Sequence, residues 1–432
     1  MILTVKNPLL IIPISKPINA EITVPGSKSI TNRALLLAAL AQGNSRLSGA
    51  LFSDDTRFMA GALNELGIAV RADEAACVYA VEGNGGDIPA SRAELFLGNS
   101  GTSIRFLTAF CALGNGEYRL DGVARMRQRP IGDLLDALGE LGLEARAENG
   151  DDCPPIIIRG NGLRGGQVRM RADLSSQYLS ALLMVAPLCQ GEIEIEIEGE
   201  LSSQPYIEMT LRMMRQWGAE VEHQEYSRFR IKGGQHFRAK QYSIEPDASG
   251  ASYFFAAAAI TNGRVRVPNL NRDSLQGDTG FVEVLRQMGC EVEYFDKAIE
   301  VRGAEVLRGV EIDMNAISDT VMTLAAIAPF AESPTHIRNI GHIRHKETDR
   351  IHALATELNR LGVRVEESAD SLTIYPAREL KPANIETYDD HRMAMSFAIT
   401  GLRAPGVSIC DPDCVNKTFP DFWERWEKLR TI

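Results

Sequence analysis

One recurring sequence motif, which we call a phrase, limits the possible folds of this 432-residue chain more than any other feature. It is an amphipathic segment that ends in an apolar residue and a glycine and is followed by alternating apolar residues. A glycine at such a position usually ends a helix in the left-handed conformation, and the alternation after it is typical of a strand. The glycines follow one another at intervals of 71 to 76 residues: Gly67, Gly142, Gly218, Gly289 and Gly362.

A second phrase interleaves with the first, and it occurs six times. Each copy is a small polar cluster followed by a segment that is apolar on nearly every side, which predicts a buried helix. Intervals of 70 to 74 residues separate the six openings at Ser29, Thr102, Ser176, Ser249, Asp319 and His391. The chain is therefore predicted to be α/β, with six copies of a unit that has one buried helix, one half-exposed helix and several short strands.

Six units of about 72 residues exceed what a single hydrophobic core accommodates, whereas three units fit a domain of ordinary size. The boundary between units three and four falls near residues 240–247. An apolar strand predicted from Leu3 to Ile14 precedes the first unit and can complete the second domain. We therefore predict one domain of residues 22–243 and a second of residues 1–21 plus 244–432.

Composition excludes several functional classes. The 57 acidic and 46 basic side chains give a net charge of −11, which argues against a nucleic-acid or membrane-surface partner. No apolar run approaches the roughly 20 residues of a membrane helix, and Pro13 interrupts the apolar N-terminus, so no signal peptide is indicated. Seven irregularly spaced cysteines are typical of reduced thiols in a cytoplasmic protein.

The six helix starts differ in their reactive groups, which suggests a function beyond capping. Capping alone explains small hydroxyl and Asx residues there. Yet Lys28, Arg33, Asn99, Gln177 and others add cations and amides, and helix N-termini themselves attract anions. Two basic runs, 125–129 and 342–350, also favour an anion-binding site, with solvated surface faces as the alternative interpretation. In the second run, the four-residue spacing predicts Lys346 and Arg350 on one face of a helix start.

Four other motifs resemble nucleotide, dinucleotide or metal sites, but their sequence context does not favour such a site. Pro25–Ser29 lacks the first glycine of a nucleotide P-loop, and Gly160–Gly165 precedes a strand pattern where a dinucleotide-binding loop needs a helix. Cys410 and Cys414 have no second ligand pair for zinc. Residues 389–391 include two aspartates and a histidine that could bind a metal, but a hydrogen-bonded cluster is the favoured interpretation.

Seven of these segments occur in order from about residue 20 to residue 423. They are Pro25–Ser29, Leu97–Thr102, Arg129–Ile131, Ser175–Gln177, Lys346–Arg350, Asp390–Ala394 and Lys417–Pro420. Together they resemble the 5-enolpyruvylshikimate-3-phosphate synthase family of enolpyruvyl transferases.

The resemblance implies a two-domain inside-out α/β barrel. Each domain then has three β-α-β-α-β-β units, and the helix N-termini face the cleft between the domains. The implied reaction transfers the enolpyruvyl group of phosphoenolpyruvate to the 5-hydroxyl of shikimate-3-phosphate and releases phosphate, in the pathway to chorismate and the aromatic amino acids. No metal and no organic cofactor are expected. A monomer, closure on the first substrate, and inhibition by glyphosate, for which Gly101 leaves room, are expected as well.

The resemblance also assigns the site residues by position. Asp319 is the candidate base for the attacking hydroxyl, Glu347 is the candidate acid for the methylene carbon, and Lys28 is a candidate to share the acid role. The shikimate-3-phosphate side comprises Lys28, Ser29, Arg33, Ser175, Ser176, Gln177, Ser203, Tyr206, Asp319, His342 and Lys346. The phosphoenolpyruvate side comprises Lys28, Asn99, Gly101, Arg129, Gln177, Glu347, Arg350, His391, Arg392 and Lys417.

Three positions depart from the family pattern, and two alternative functions stay open. Ser100, Phe106 and His342 stand where the family often has alanine, proline and asparagine. One alternative is the sister enzyme that transfers enolpyruvyl to UDP-N-acetylglucosamine, which uses a loop cysteine where this chain has Arg125 to Arg129. The other is a non-catalytic repeat protein whose helix-start residues are only caps.

Overall fold

The computed structural model describes residues 6–430, and the chain forms two compact units. The N-terminal unit is Gly26–Ile244, and the C-terminal unit is Met1–Pro25 together with Glu245–Ile432. No helix among the described residues is both long and apolar enough to cross a membrane.

Twelve α-helices occur in the described part of the chain. They are α1 (Lys28–Leu40), α2 (Asp54–Glu65), α3 (Gly101–Cys111), α4 (Gly132–Glu140), α5 (Ser176–Val185), α6 (Gln204–Gln216), α7 (Ala248–Ile260), α8 (Phe281–Gln287), α9 (Val321–Ile327), α10 (Arg350–Arg360), α11 (His391–Gly401) and α12 (Phe422–Glu427). Short 3-10 turns adjoin several of them, and two of these turns matter below: Asn315–Thr320 and Pro412–Lys417.

Twenty-four short strands in the same residues form six sheets. The strands of the N-terminal half are β3 (Ala41–Ser48), β4 (Ala69–Asp73), β5 (Val78–Asn84), β6 (Arg92–Phe96), β7 (Asn115–Asp121), β8 (Glu144–Ala147), β9 (Ile156–Asn161), β10 (Gly166–Arg171), β11 (Ile193–Glu198), β12 (Glu222–Gln224), β13 (Arg228–Ile231), β14 (Phe237–Arg238) and β15 (Gln241–Ser243). The C-terminal unit contains β1 (Leu9–Leu10), β2 (Asn19–Glu21), β16 (Arg264–Pro268), β17 (Glu291–Phe295), β18 (Ala298–Arg302), β19 (Glu311–Asp313), β20 (Thr335–Arg338), β21 (Val365–Glu367), β22 (Leu372–Ile374), β23 (Ala383–Ile385) and β24 (Val407–Ile409).

The repeat predicted from the sequence is confirmed. The second copy runs β6-α3-β7-α4-β8-β9, and its sheet has the order β6-β7-β9-β8. Strands β6 and β7 are parallel, and β9, which is last in the sequence, lies antiparallel to its two neighbours β7 and β8. The third and fifth copies repeat this order as β10-β11-β13-β12 and β19-β20-β22-β21. The fold is thus α/β with six copies of the repeat, three in each half of the chain; among the described residues the sixth copy is shorter than a full β-α-β-α-β-β unit and has a sheet of three strands.

The first and fourth copies take their first strand from elsewhere in the sequence. β15, at the end of the N-terminal unit, pairs in parallel with β3, and β2 pairs in parallel with β16. The sixth sheet has the order β1-β24-β23, with β1 antiparallel to β24. Strand exchange at these points lets each unit finish its sheets with chain segments that are distant in sequence.

The first helix of each copy is buried, as its sequence requires. Every residue of α3, α7, α9 and α11 is buried, and α1 and α5 each leave one residue half-buried. The composition of α7, which is rich in alanine, lets neighbouring elements approach from all sides. The second helices have one exposed face; α6, for example, buries Ile207, Leu211 and Met214 and exposes Gln204, Arg215 and Gln216. Helices inside and sheets outside are the predicted inside-out arrangement within each unit.

Two local predictions were wrong. The predicted first strand, Leu3 to Ile14, is only Leu9–Leu10 among its described residues, because Pro8 and Pro13 lack the N–H group that a longer ladder needs; its residues 3–5 lie outside the described residues. Lys346 also does not share a helix face with Arg350. Asp349 caps α10, whose first residue is Arg350, and Lys346 precedes it in extended backbone.

Candidate active site

The predicted site residues fall into two groups, one in each unit. We name them the N-terminal cluster and the C-terminal cluster. The N-terminal cluster comprises Lys28, Ser29, Arg33, Asn99, Gly101, Arg129, Ser175, Ser176, Gln177, Ser203 and Tyr206. The C-terminal cluster comprises Asp319, His342, Lys346, Glu347, Arg350, His391, Arg392 and Lys417.

Arg33 is the most buried cation of the N-terminal cluster, with 2% of its surface exposed. It lies one turn into α1, where Nη1 donates to the Ser29 carbonyl at 3.1 Å and Nη2 to the Tyr206 carbonyl at 3.3 Å. Nε donates to the Thr210 hydroxyl at 2.8 Å, and the Phe106 ring lies 5.2 Å from Cζ. Burial lowers the pKa of Arg33 to about 10. All these partners are neutral, so the guanidinium charge is not balanced by a carboxylate among the described residues.

Arg129 is the one buried arginine of the first basic run. Arg127 pairs with Asp121 at 2.7 Å on the surface, whereas Arg129 Nη1 donates to the carbonyl of Asn99 at 3.0 Å and to its side-chain oxygen at 3.1 Å. Gly101 begins α3 beside this guanidinium. A Cβ atom at position 101 would lie 2.7 Å from Arg129 Cζ, so only glycine fits without displacing the arginine.

Gln177 joins this group to the start of α5. Its amide nitrogen donates to the Thr102 hydroxyl at 3.1 Å, and its amide oxygen accepts from Arg105 Nη1 at 3.0 Å. Arg105 also donates to the Pro130 carbonyl at 3.1 Å. Ser175 caps α5 by accepting from the Gln177 N–H at 3.2 Å. Arg105 therefore connects Gln177 to the backbone of Pro130, the residue that follows Arg129.

The remaining residues of the N-terminal cluster also lie at helix starts. Lys28 is the first residue of α1, and its Nζ lies 3.6 Å from Asp55 Oδ2. Ser176 is the buried first residue of α5. Ser203 precedes α6 in left-handed backbone, with φ +52°, and Tyr206 is half-buried one turn later.

Arg350 is the centre of the C-terminal cluster and is 1% exposed. Its Nε donates to Asp390 Oδ2 at 2.8 Å, Nη2 to Glu347 Oε2 at 2.9 Å, and Nη1 to Asp319 Oδ1 at 3.3 Å. Burial alone would lower the pKa of Arg350, but the charges of Asp390, Glu347 and Asp319 outweigh burial and raise it. Both candidate proton-transfer residues thus bind one permanently charged guanidinium.

Three further cations surround the two carboxylates. Arg392 Nη2 donates to Asp319 Oδ2 at 2.6 Å, and Lys346 Nζ lies 3.8 Å from Asp319 Oδ1. Lys417, at the end of the Pro412–Lys417 turn, lies 4.0 Å from Glu347 Oε1. Asp319 itself stands in the Asn315–Thr320 turn, directly before α9.

The two histidines of the cluster are both buried. Burial lowers the pKa of His342 to about 3, and the charge of Lys346 adds to the effect, so this imidazole is neutral at physiological pH. It can therefore donate one hydrogen bond and accept another, as the asparagine common in the family can. His391 is the first residue of α11, and its Nδ1 lies 3.6 Å from Asp390 Oδ1.

Sequence reasoning left several important neighbours out of the predicted site. Asp390 binds Arg350 and caps α11 by accepting from the Arg392 N–H at 2.9 Å. Asp55 is the partner of Lys28, and Arg105 connects Gln177 to Pro130. Asp390 lies in the helix-start motif Asp390–Ala394, and Arg105 lies one turn into α3, whereas Asp55 lies in an ordinary acidic first turn of α2 that gives no signal. Asp390 is committed to these hydrogen bonds, and no group of three or more metal-ligating side chains occurs within residues 6–430.

The chain is similar in sequence to known proteins along nearly its whole length. Residues 12–426 match the sequence model of the family described as EPSP synthase (3-phosphoshikimate 1-carboxyvinyltransferase). The 3-phosphoshikimate 1-carboxyvinyltransferase of Trichormus variabilis is 53% identical over 416 residues, which cover 96% of this chain and 97% of that protein. The protein of the same name from Marinomonas sp. is 47% identical over 424 residues, or 98% of this chain and 99% of its own length.

A solved structure supports the same relationship. The EPSP synthase of Acinetobacter baumannii superposes with a TM-score of 0.83 at 25% sequence identity, and the match covers 98% of each chain. The family match spans nearly the whole chain, and the relatives are aligned over almost their full lengths. The chain therefore belongs to the EPSP synthase family of transferases.

Proposed function

We propose that this protein transfers the enolpyruvyl group of phosphoenolpyruvate to the 5-hydroxyl of shikimate-3-phosphate and releases inorganic phosphate. The substrates implied by the family are small molecules that carry phosphate and carboxylate groups. One observation of the site carries the proposal: Arg350 binds Asp319 at 3.3 Å and Glu347 at 2.9 Å. A reaction that needs one base and one acid thus has the half-buried Asp319 and the buried Glu347 attached to the same fixed cation.

In the proposed mechanism, the oxygen of the 5-hydroxyl attacks C2 of phosphoenolpyruvate while Asp319 accepts the proton of that hydroxyl. Glu347, which has to carry a proton once phosphoenolpyruvate is bound, donates it to C3, which converts the methylene into a methyl group and completes a tetrahedral adduct. The C2–O bond to phosphate then breaks, the departing phosphate takes the proton from Asp319, the methyl group returns a proton to Glu347, and the enol ether forms. Lys346, Arg392 and Lys417 supply positive charge close to both carboxylates.

We propose the binding roles by position. Ser29, Arg33, Ser175, Ser176, Gln177, Ser203, Tyr206, His342 and Lys346 bind shikimate-3-phosphate together with Lys28 and Asp319. Asn99, Gly101, Arg129, Arg350, His391, Arg392 and Lys417 bind phosphoenolpyruvate together with Lys28, Gln177 and Glu347. The neutral surroundings of Arg33 support the first assignment, because a buried cation without a counter-charge favours an incoming phosphate.

A phosphate-release assay tests the function directly. Phosphate should appear only when shikimate-3-phosphate and phosphoenolpyruvate are present together, and replacing the first by UDP-N-acetylglucosamine should give none. Glu347→Gln and Lys28→Met should abolish turnover while the circular dichroism spectrum stays that of the parent. Turnover with the UDP sugar, or full activity in either variant, would contradict the proposal.

Glyphosate inhibition and the state of the protein are further parts of the proposal. Glyphosate resembles phosphoenolpyruvate, and the absence of a Cβ at Gly101 lets the Arg129 guanidinium, which is assigned to that substrate, lie against the start of α3. Micromolar glyphosate should therefore slow phosphate release at low phosphoenolpyruvate, and the inhibition should weaken as phosphoenolpyruvate rises. We also propose a cytoplasmic monomer, which agrees with seven cysteines that form no disulfide among the described residues.

A further inference from the structure

The turn that precedes α11 has an unusual backbone. Tyr388 and Asp389 are consecutive non-glycine residues in the left-handed region, with φ of +56° and +54°. Aspartate tolerates this region, but a bulky residue such as tyrosine adopts it only where the surrounding structure holds it there. The turn ends at Asp390, the cap of α11, so its conformation decides where His391 and Arg392 begin.

Glu357 of α10 supplies contacts that hold this turn. Its carboxylate is completely buried, and neither the proposed mechanism nor the hydrophobic core uses it. The Tyr388 hydroxyl donates to Glu357 Oε1 at 2.7 Å, and the Glu386 N–H donates to Oε2 at 3.2 Å. Arg360 Nε, 3.4 Å from Oε2, balances its charge from the solvent side. One side chain thus binds the turn at two points.

The same helix also binds the other end of the turn. Arg350 and Glu357 are seven residues apart, which is two helical turns and places both on one face of α10. Arg350 binds Asp390 at 2.8 and 3.3 Å, and the Asp390 N–H donates to the Thr387 carbonyl at 2.9 Å. Residues 386–390 are therefore bound to α10 at their beginning, their middle and their end.

The protonation states suit a permanent contact. Burial raises the pKa of Glu357, while the hydrogen bonds from Tyr388 and Glu386 oppose that effect. Burial and the adjacent carboxylate both raise the pKa of Tyr388, so the phenol keeps its proton and can donate at neutral pH.

We infer that the pair Glu357–Tyr388, which we call the brace, positions the start of α11 for the enolpyruvyl transfer. Neither residue is among those assigned to a substrate; the brace acts through Asp390, His391 and Arg392 on the phosphoenolpyruvate side of the site. The inference rests on the proposed function, because it assigns the residues of α11 to that substrate.

Tyr388→Phe is the principal test. Because Tyr388 is 39% exposed, removing its hydroxyl leaves the core packing unchanged. We expect the KM for phosphoenolpyruvate to rise about ten-fold, the loss typical of one hydrogen bond to a charged group. The KM for shikimate-3-phosphate should change less than two-fold, since most residues assigned to that substrate belong to the N-terminal unit. A KM effect confined to one substrate separates positioning from a general loss of stability.

A matched control exists in the same unit. The hydroxyl of Tyr294, on β17, donates to Oε1 of Glu283, on α8, at 2.6 Å. This is the same type of hydrogen bond as that of Tyr388, and neither of its residues is assigned to the site. Tyr294→Phe should leave both KM values unchanged. Equal effects of the two phenylalanine variants, or equal changes in both KM values of Tyr388→Phe, would overturn the inference.

Glu357→Gln and Glu357→Leu complete the design. Glutamine keeps an acceptor for the Glu386 N–H and an amide that can donate to the Tyr388 oxygen. The KM of Glu357→Gln for phosphoenolpyruvate should therefore stay close to that of the parent. Leucine removes both contacts and should reproduce the Tyr388→Phe effect. The double variant Glu357→Leu/Tyr388→Phe should raise the KM for phosphoenolpyruvate no more than the stronger of its two single substitutions. Additive losses would overturn the brace. An inactive parent enzyme would instead refute the proposed function, independently of these variants.

Discussion

Arg33 and Arg350 are both almost completely buried, yet their surroundings are opposite. Arg33 in the N-terminal cluster binds two carbonyls, two hydroxyls and the face of an aromatic ring. Arg350 in the C-terminal cluster binds three carboxylates. Burial lowers the pKa of the first, whereas the carboxylates raise the pKa of the second. The protein thus compensates one buried cation and leaves the other to be compensated by a ligand.

This difference separates two tasks within one enzyme. A buried guanidinium with neutral partners favours binding of a dianionic phosphate, because the anion supplies the charge that the fold does not. A guanidinium that already binds three carboxylates is compensated by the fold, and it also fixes the positions of acids and bases. On this interpretation Arg33 mainly binds substrate phosphate, whereas Arg350, besides its proposed contact with phosphoenolpyruvate, holds the groups that transfer protons. The predictions below test that separation.

The largest expected effect concerns stability. Arg350→Met removes the cation while Asp390 and Glu347 remain buried, and breaking a buried ion pair in this way costs about 3–5 kcal/mol. Denaturant unfolding of the C-terminal unit should therefore shift to much lower concentration. Trp217 is in the N-terminal unit and Trp423 and Trp426 are in the C-terminal unit, so Trp217→Phe makes fluorescence report on the latter alone. An unchanged midpoint would show that the carboxylates do not depend on Arg350.

A pH effect of somewhat smaller size is expected from Asp278. This carboxyl is buried and accepts a hydrogen bond from Ser249; burial and then the charge of Asp319 raise its pKa to about 6. The folded state therefore binds this proton more tightly than the unfolded state, in which the pKa is about 3.9. Its contribution to stability is complete below pH 4 and is lost as the pH rises through 6, by roughly 2–3 kcal/mol in total.

Asp278→Asn tests the sign of this contribution. The amide keeps an acceptor for Ser249 but has no charge to bury at high pH. The variant should therefore gain stability relative to the parent as the pH rises from 4 to 7, measured as the difference between their unfolding midpoints. A difference that stays constant over this range would show that Asp278 is not protonated preferentially in the folded state.

Arg33→Met is the matched counterpart of the Arg350 substitution. No carboxylate is left without its cation, and the Thr210 hydroxyl can still donate to the Tyr206 carbonyl at 2.8 Å, so the unfolding midpoint of the N-terminal unit should move little. The KM for shikimate-3-phosphate should rise about 10- to 100-fold, as expected for a lost hydrogen bond to a charged group. A large loss of stability with an unchanged KM would reverse the roles assigned to the two arginines.

The sequence was sufficient for the repeats because their signals are local. A glycine such as Gly218 ends a helix by its own backbone freedom, and an apolar segment such as that of α7 predicts burial without knowledge of its neighbours. The family resemblance, also built from local motifs, is confirmed by the family match. The sequence predicted residues 1–21 in the second domain, but it did not indicate which strands β2 and β15 pair with, because both are three-residue strands whose partners lie far away in the sequence.

The site was only partly predictable for the same reason. The helix-start motifs indicate which residues are functional candidates, and their assigned roles stay predictions. The motifs do not show that Arg33 meets Thr210 and Ser180, or that Asp319 meets Arg392 from a repeat 73 residues away. Whether a cation is compensated depends on such tertiary contacts. The contrast between the two clusters therefore emerges only from the folded structure.

The smallest expected effect concerns Phe106, one of the departures from the family pattern. Its buried ring lies 5.2 Å from the Arg33 guanidinium, and a desolvated cation–π contact is worth roughly 1–2 kcal/mol. Phe106→Leu should therefore raise the KM for shikimate-3-phosphate about five- to thirty-fold and leave the KM for phosphoenolpyruvate nearly unchanged. Phe110, one turn later in the same buried helix, provides the control: Phe110→Leu removes the same volume without touching Arg33. Similar KM changes in both variants would mean that packing of α3, and not the contact with the cation, tunes the phosphate side of the site.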